Sequence, residues 1–356
     1  MPLVAHNDLP AFARLRAEGC DVLDADSAER QDIRALHVGL LNMMPDAAME
    51  ATERQFLRLI DRANRVVQIT IHFFTVDALP RGDRATDHIA KYYDSFDAVR
   101  QHGLDALILT GANVTQPALE REAFWPELAE VTDWAAENVT STLCSCLASH
   151  AVWQHRFGIR RQNLQRKCWG VFEHRAVDQH HPLAHNINTR FAVPHSRFND
   201  VSRVALEKVG VRVLTESDEA GVLTAVSPDG FRFVFMQGHP EYDTNSLLKE
   251  YKRELTRFAQ GELDAPPPFV RHFFDARCKA ILVEYAERVR LARARNATTP
   301  AFPEHLIEPA LDNVWRDTAK AMVSTWIGKV YQLTNVDPRK PFQAGVDPDN
   351  PLDLPR

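Results

Sequence analysis

Short apolar runs alternate with amphipathic stretches along the first half of this 356-residue chain, and no other feature restricts the fold as much. The runs have the length and β-branched content of buried strands, whereas the stretches between them carry apolar residues at helical spacing. The runs are residues 36–42, 66–76, 104–111 and 140–145. Because strands that alternate with helices usually pair in parallel, the sequence predicts an α/β fold with a mostly parallel, doubly wound sheet.

The second half of the chain predicts a return to this sheet and then a helical extension. The further strand-like runs are residues 210–217, 221–228 and 231–243. A proline run at residues 265–269 breaks the chain, and a helix rich in Ala, Leu, Glu and Arg is predicted from about residue 273 to residue 296. We therefore expect three parts, which are an α/β domain with an N-terminal arm at 1–264, a helical C-terminal extension packing on it at 265–335 and a poorly ordered tail at 336–356.

Composition excludes several classes of function. A formal charge of -6 and a pI near 6.2 provide no basic surface for nucleic acid, which is not expected as a partner. No signal-like N-terminus and no apolar run of membrane-spanning length is found, so we expect a cytoplasmic protein without membrane contact. The five cysteines are scattered and odd in number, which predicts free thiols. No cysteine or histidine pair has zinc-like spacing, so the sequence predicts no metal site.

The segment TSTLCSCLASHAVWQH places Cys146 where an apolar strand changes into a helix. A side chain at such a turn projects at the carboxyl edge of the sheet, beside the first N–H groups of the helix. Those amides and the helix dipole favour negative charge, so they stabilise a thiolate and can hold an oxyanion. Cys144 lies two residues earlier, inside the strand, and is interpreted as a core residue. Cys146 is the candidate nucleophile.

The segment MQGHPEYD offers a base for this thiol at the end of another strand. His239 and Glu241 lie two residues apart, so in extended geometry both side chains share one face, and Glu241 can orient His239. Cys146, His239 and Glu241 then fill the nucleophile, base and orienting roles of a catalytic triad.

The order of strands, the cysteine turn and the GHPE segment resemble the class I glutamine amidotransferase-like domains, which have a flavodoxin-like sheet. The closer resemblance is to the homoserine O-acyltransferases of methionine biosynthesis, which share that fold. It extends over most of the chain, through the segments DLPAFARLRAEG, RALHVGLLNMMP, QFLRLI, LILTGA, FWPEL, VTSTL-x-x-C, GVFEH, PHSRF, GHPEYD and WIGKVYQLT. In that family a cysteine takes an acyl group from a coenzyme A thioester, and the hydroxyl of homoserine then accepts it.

The resemblance implies roles for particular residues. Cys146 would be the acylated nucleophile, His239 the general base and acid, and Glu241 its partner. Acyl-CoA would be a substrate, no cofactor would be needed, and the protein would be a homodimer.

Substrate contacts are also implied by the resemblance, at Lys167, Ser196 and Arg253. The carboxylate of homoserine suits the forked donors of Arg253, and Lys167 and Ser196 can supply further polar contacts.

Two departures from the family pattern concern specificity. The chain reads MMPDAAMEATERQF where members generally have a lysine soon after the MMP segment, so we expect an altered loop at Asp46–Glu50, which leaves serine open as an alternative acceptor. Thr115 occupies the position that is typically glycine in succinyl-transferring members and glutamate in acetyl-transferring ones. Threonine carries no charge that would repel succinate, and its hydroxyl could donate to the succinyl carboxylate, so succinyl-CoA is the expected donor and acetyl-CoA the alternative. Ser196 is a second candidate for donor specificity.

Two other classes of function remain. An enzyme that hydrolyses glutamine would use the same three residues. The strand-to-helix turn at the nucleophile of such enzymes usually reads Gly-x-Cys-x-Gly, whereas here Cys144 and Ala148 flank Cys146. A binding protein without activity is disfavoured because the triad is complete.

Overall fold

The structure is a computed structural model that describes residues 3–20, 22–29, 34–63 and 67–355. Val66, with which one predicted strand begins, and Arg356, with which the predicted tail ends, lie outside the described residues.

The strands of the described residues form one 11-stranded sheet in the order β2-β1-β4-β3-β5-β6-β11-β10-β9-β7-β8. The strands are β1 (Leu3–Ala5), β2 (Val22–Asp24), β3 (Ala35–Leu41), β4 (Gln68–Phe74), β5 (Ala106–Leu109), β6 (Ser141–Ser145), β7 (Gln162–Ala176), β8 (Arg190–Asp200), β9 (Arg212–Ser217), β10 (Gly221–Val226) and β11 (Phe233–Met236). From β2 to β11 in this order all pairings are parallel, and from β11 to β8 they are antiparallel.

The helices are α1 (Pro10–Ala17), α2 (Ala25–Glu29), α3 (Asp46–Ala63), α4 (Asp83–Tyr92), α5 (Phe96–His102), α6 (Trp125–Asn138), α7 (Leu147–Phe157), α8 (Arg203–Glu207), α9 (Ser246–Ala259), α10 (Ala276–Ala294), α11 (Glu304–Ile307) and α12 (Arg316–Leu333). Single 3₁₀ turns occur at Leu119–Arg121, Pro182–Ala184 and Glu308–Ala310. Among the described residues no helix is long and apolar enough to cross a membrane.

Side chains of the central strands alternate between two hydrophobic cores, one on each face of the sheet. On β5, Ala106 and Ile108 join the core that α3 and α12 cover, whereas Leu107 and Leu109 join the core under α6 and α7. A strand buried on both faces reads as a continuous apolar run, which is why these strands are visible in the sequence. The predicted mostly parallel, doubly wound α/β sheet is confirmed.

The long hairpin of β7 and β8 is absent from the sequence prediction. Its strands begin with polar and charged residues, and Pro194 interrupts β8, so neither strand presents a clean apolar run. Proline is tolerated because β8 is the edge strand. The hairpin joins the main sheet through only two residue pairs between β7 and β9, Arg175 with Glu216 and Ala176 with Thr215.

The C-terminal helices pack in two different places. Helix α10, predicted at residues 273–296, packs with α9 and β7 in a third hydrophobic core, whereas α12 belongs to the core on the α3 face. In the segment predicted as a tail, Phe342 is 9% exposed and its ring lies 5.0 Å from the guanidinium carbon of Arg232. The division of the chain at residues 265 and 336 stays a prediction.

Helix α12 is tied to the central sheet by a buried hydrogen-bond chain. The indole N–H of Trp326 donates to the Ser141 hydroxyl over 2.9 Å, and that hydroxyl donates to the Phe231 carbonyl over 2.6 Å. We expect Ser141→Ala to lower the free energy of unfolding by about 1–3 kcal/mol, because a buried donor and a buried acceptor lose their partner. Urea unfolding measures the loss. In a Trp326→Phe background the same substitution should cost less, and an equal cost there would contradict this account.

Candidate active site

Cys146 occupies a sharp turn between β6 and α7. Its backbone adopts φ 50° and ψ -109°, a conformation that costs free energy for any residue other than glycine. The turn is held by the Cys146 amide, which donates to the Met236 carbonyl over 2.7 Å, and by the Ser149 amide, which donates to the Cys146 carbonyl over 3.0 Å. The Cys146 side chain therefore lies at the carboxyl edge of the sheet, next to the first N–H groups of α7, as the sequence predicts.

Cys144 lies inside β6 and is fully buried. Burial raises the pKa of its thiol well above the ordinary value, so it stays protonated. This agrees with its interpretation as a core residue.

His239 and Glu241 follow β11, which pairs in parallel with β6 so that Met236 lies opposite Ser145. Nδ1 of His239 lies 2.8 Å from a carboxylate oxygen of Glu241, and the imidazole also hydrogen-bonds Cys146. Burial by itself lowers the pKa of His239, but the charges of Cys146 and Glu241 outweigh it and raise that pKa well above its usual value. The imidazole therefore favours its protonated form, which places a positive charge against the Cys146 sulfur. The three predicted triad residues are brought together.

The backbone before His239 is tightly enclosed. A Cβ atom on Gly238 would lie 2.7 Å from Leu223 Cδ1 and 3.0 Å from the Pro194 carbonyl oxygen, so only glycine fits. The His239 amide donates to the same Pro194 carbonyl over 2.8 Å. Strand β8 thus fixes the main chain that carries the imidazole.

Lys167 and Ser196 meet at a buried carboxylate that the sequence analysis did not single out, Glu250 of α9. Lys167 Nζ lies 3.1 Å from Glu250 Oε2, and the Ser196 hydroxyl donates to that oxygen over 2.6 Å. Burial alone raises the pKa of Glu250, but the charge of Lys167 and the hydrogen bonds from Ser196 and Tyr242 outweigh it, so the pKa lies below its ordinary value.

Tyr242 connects this carboxylate to the triad. Its hydroxyl donates to Glu250 Oε1 over 2.8 Å, and its ring stacks on the His239 imidazole with 4.2 Å between centroids. A continuous chain of contacts therefore runs from Lys167 to His239.

Arg253 lies apart from these contacts. Its side chain is 64% exposed and interacts with Glu254 at 3.5 Å. It lines the same cavity of about 1070 Å³ as Lys167, together with Trp169, Phe198 and the proline run. The guanidinium is available to a ligand in this cavity, but the structure does not place it against Ser196.

Thr115 lines a different cavity, of about 440 Å³, with Met43, Arg81 and Glu122. Its amide and its hydroxyl donate to the carboxylate of Glu122 over 2.6 and 3.2 Å. The hydroxyl is engaged by Glu122 in this structure, and the expectation that it donates to a succinyl carboxylate stays a prediction.

The segment interpreted as an altered loop, Asp46–Glu50, is the start of α3 instead. The Asp46 carboxylate accepts hydrogen bonds from the Gly82 amide at 2.9 Å and from an Arg81 nitrogen at 3.2 Å. The hydrogen bond from Gly82, followed by that from Arg81, lowers the pKa of the Asp46 carboxyl. Arg81 also donates to the Met44 carbonyl over 2.6 Å, so it brings a positive charge to the MMP segment from elsewhere in the sequence.

A sequence model of the family described as homoserine O-succinyltransferase matches residues 2–336. The chain belongs to the homoserine O-succinyltransferase family. It is 59% identical over 354 residues to the homoserine O-succinyltransferase of Methylococcus capsulatus, which covers 99% of this chain and 100% of that protein. It is 60% identical over 354 residues to the one of Thiothrix nivea, with 99% and 98% covered.

Among solved structures, a glutamine amidotransferase from Thermotoga maritima aligns with a TM-score of 0.42 and 12% identity, over 83% of this chain and 97% of that one. The family that the motifs indicate is confirmed by the sequence matches.

The residues that sequence reasoning missed in this family member are Glu250, Tyr242, Glu122, Arg81 and Arg161. Glu250 and Arg81 act through partners far away in the chain, whereas the partners of Glu122 and Tyr242 lie within eight residues. Tyr242 lies in the GHPEYD segment close to His239, and this proximity is the signal in the sequence that indicates it.

The geometry predicts selective alkylation of one thiol. At pH 7, iodoacetamide should modify Cys146 and leave Cys144 intact. His239→Asn should slow the reaction of Cys146 about tenfold or more, because only a few per cent of an unassisted thiol is ionised at neutral pH. Peptide mass mapping over time measures both rates.

The pH dependence provides the control. At about pH 10 an ordinary thiol is fully ionised, so the variant and the wild type should react at similar rates. A variant that is equally slow at both pH values would contradict an electrostatic role for His239.

Proposed function

We propose that this protein transfers the succinyl group of succinyl-CoA to the hydroxyl of L-homoserine through a thioester on Cys146, a step of methionine biosynthesis. The observation that carries the proposal is the contact of Cys146 with His239, itself held by Glu241 at 2.8 Å, in a chain that matches the family over residues 2–336. Cys146 is the proposed nucleophile, His239 the base and acid, and Glu241 the orienting partner.

The first half-reaction acylates the cysteine. The Cys146 thiolate attacks the thioester carbonyl, and the oxyanion that forms is stabilised by the first amides of α7. The bond from the carbonyl carbon to the CoA sulfur then breaks, and that sulfur takes the proton from Nε2 of the His239 imidazolium. CoA leaves, and neutral His239 and succinyl-Cys146 remain.

The second half-reaction uses the same groups in reverse. The hydroxyl of homoserine gives its proton to Nε2 of His239 as its oxygen attacks the thioester carbonyl. The carbon–sulfur bond to Cys146 breaks, O-succinylhomoserine leaves, and the thiolate–imidazolium pair is restored. Glu241 accepts a hydrogen bond from Nδ1 throughout, which keeps the imidazole in the required orientation.

Homoserine recognition is proposed for Arg253, Lys167 and Ser196. Arg253 can bind the carboxylate with two parallel hydrogen bonds, since its guanidinium is exposed in the cavity that Lys167 also lines. Lys167 and Ser196 are held in place by Glu250, which limits their freedom before substrate binds.

Donor choice is proposed to depend on charge near Thr115. Because its hydroxyl is bound to Glu122, Thr115 contributes the absence of a charge rather than a hydrogen bond. Arg161 is half-buried, which lowers its pKa, and it interacts electrostatically with both Glu122 and Cys146. A cation that interacts with both Cys146 and Glu122 favours a donor whose acyl chain ends in a carboxylate, which succinyl-CoA has and acetyl-CoA lacks.

The cellular setting is also a proposal. We place the enzyme in the cytoplasm, as a homodimer without a resident cofactor for acyl transfer. Free thiols at Cys144, Cys146, Cys168 and Cys278 suit a reducing compartment. Exposed Val283 on α10 supplies apolar surface for a second copy, and analytical ultracentrifugation tests the dimer.

Product analysis tests the proposed function. Incubation with succinyl-CoA and L-homoserine should yield O-succinylhomoserine, whereas glutamine should yield no ammonia and L-serine little product. Without acceptor, intact-protein mass should rise by one succinyl group in the wild type and in Cys144→Ala. An equal rise in Cys146→Ala, or ammonia from glutamine as the main product, would contradict the proposal.

The donor assignment is tested at Thr115. Thr115→Glu should lower kcat/KM for succinyl-CoA relative to acetyl-CoA about tenfold or more, because the new carboxylate repels the succinyl terminus. Thr115→Gln is the matched control, with the same size and no charge, and should change the ratio much less. A wild type that prefers acetyl-CoA, or equal effects of the two substitutions, would show the assignment to be wrong.

A further inference from the structure

Three histidines from separate elements converge toward the amino ends of β3 and β5, the edge of the sheet opposite to Cys146. His37 lies on β3, His72 on β4 and His102 at the end of α5. His37 Nδ1 lies 3.0 Å from His72 Nε2 and 2.9 Å from His102 Nε2. One nitrogen of each ring falls within 4.8 Å of the other two.

These separations match the ligand spacing of a tetrahedral ion. Zinc–nitrogen bonds of about 2.0–2.1 Å place neighbouring ligand nitrogens about 3.3–3.4 Å apart, so small side-chain adjustments suffice to hold an ion between the three rings. His102 is exposed and gives the ion a path from solvent, while His37 and His72 are partly buried.

A carboxylate outside the cluster determines which nitrogen of His72 carries the lone pair. Asp94 Oδ2 lies 3.1 Å from Nδ1 of His72. A carboxylate only accepts, so Nδ1 carries the proton and Nε2, which faces the cluster, carries the lone pair. A carboxylate that orients a histidine in this way is the common second partner of a metal-binding imidazole.

Hydrogen bonding alone satisfies this cluster poorly. His37 Nδ1 faces two imidazole nitrogens at once and has either one proton or one lone pair for both. A cation that accepts all three lone pairs removes the conflict.

We propose that His37, His72 and His102 bind one divalent transition-metal ion, with zinc as the best fit and water as the fourth ligand. Three neutral imidazoles suit zinc, copper or nickel rather than magnesium or calcium, which prefer oxygen ligands. The ion joins β3, β4 and α5 and stabilises the folded chain. It takes no part in the chemistry at Cys146, because it lies at the other edge of the sheet.

Sequence spacing does not connect these residues. His72 and His102 lie 35 and 65 residues from His37, and each comes from a different strand or helix. The parallel pairing of β3 with β4 and of β3 with β5 is what brings them together.

The test is zinc binding by untagged, metal-stripped protein, measured by isothermal titration calorimetry. One equivalent of Zn²⁺ should bind, and it should raise the melting temperature. The same titration of Cys146→Ala excludes a contribution from the thiol and His239, and the site should persist there.

His102→Ala is the informative variant, because this side chain is exposed and its loss leaves the core intact. We expect at least a hundredfold weaker binding in His102→Ala and in His72→Ala, and about tenfold to hundredfold weaker binding in Asp94→Asn. His305→Ala, an exposed histidine elsewhere, is the matched control and should bind as the wild type does.

Coordination is read from the Co²⁺-substituted protein, whose intense visible absorption bands indicate a tetrahedral site. The proposal is overturned if the wild type binds no stoichiometric Zn²⁺, or if both histidine variants retain wild-type affinity. Binding that disappears only in Cys146→Ala would also overturn it, since the ion would then occupy the active site.

Discussion

The hydrogen bond from the Cys146 amide to the Met236 carbonyl joins the ends of two parallel strands, and the proposed chemistry of the protein depends on it. Strands β6 and β11 pair so that Ser145 lies opposite Met236, and each then leaves the sheet at the same edge. After β6 the chain forms the turn with positive φ that projects the Cys146 thiol. After β11 it forms the segment that carries His239 and Glu241. Residues almost a hundred positions apart therefore meet without any long-range motif.

A second network links the proposed substrate contacts to this pair. Glu250 accepts hydrogen bonds from Lys167, Ser196 and Tyr242, and the ring of Tyr242 stacks on that of His239. A largely buried carboxylate needs such partners to remain ionised. The three contacts therefore stabilise the negative charge of Glu250. The side chains proposed to hold the acceptor and the imidazole proposed to activate it are parts of one packed unit.

The sequence predicts those features that depend on local chemistry. Apolar runs reveal strands buried on both faces, and a cysteine at a strand-to-helix turn or a histidine two residues from a glutamate reveals candidate catalytic groups. It does not predict β7 and β8, whose polar residues and proline hide an edge hairpin, nor Glu250 and Arg81, whose roles come from contacts with distant segments. The loop expected at Asp46–Glu50 is the first part of α3, where Asp46 places a carboxylate at the positive end of the helix dipole.

The short backbone pairing between the β7–β8 hairpin and the rest of the sheet has a consequence for how the enzyme would lose function. The hairpin carries Lys167, Ser196 and the Pro194 carbonyl that holds His239, yet only two residue pairs with β9 join it to another strand of the sheet, and buried side chains such as Val193 and Trp169 hold it in place. Because so few of its residues pair with another strand, the position of the hairpin depends on the packing of these side chains. Substitutions that loosen this packing would then impair catalysis while the central sheet stays folded, so activity would be lost before secondary structure is.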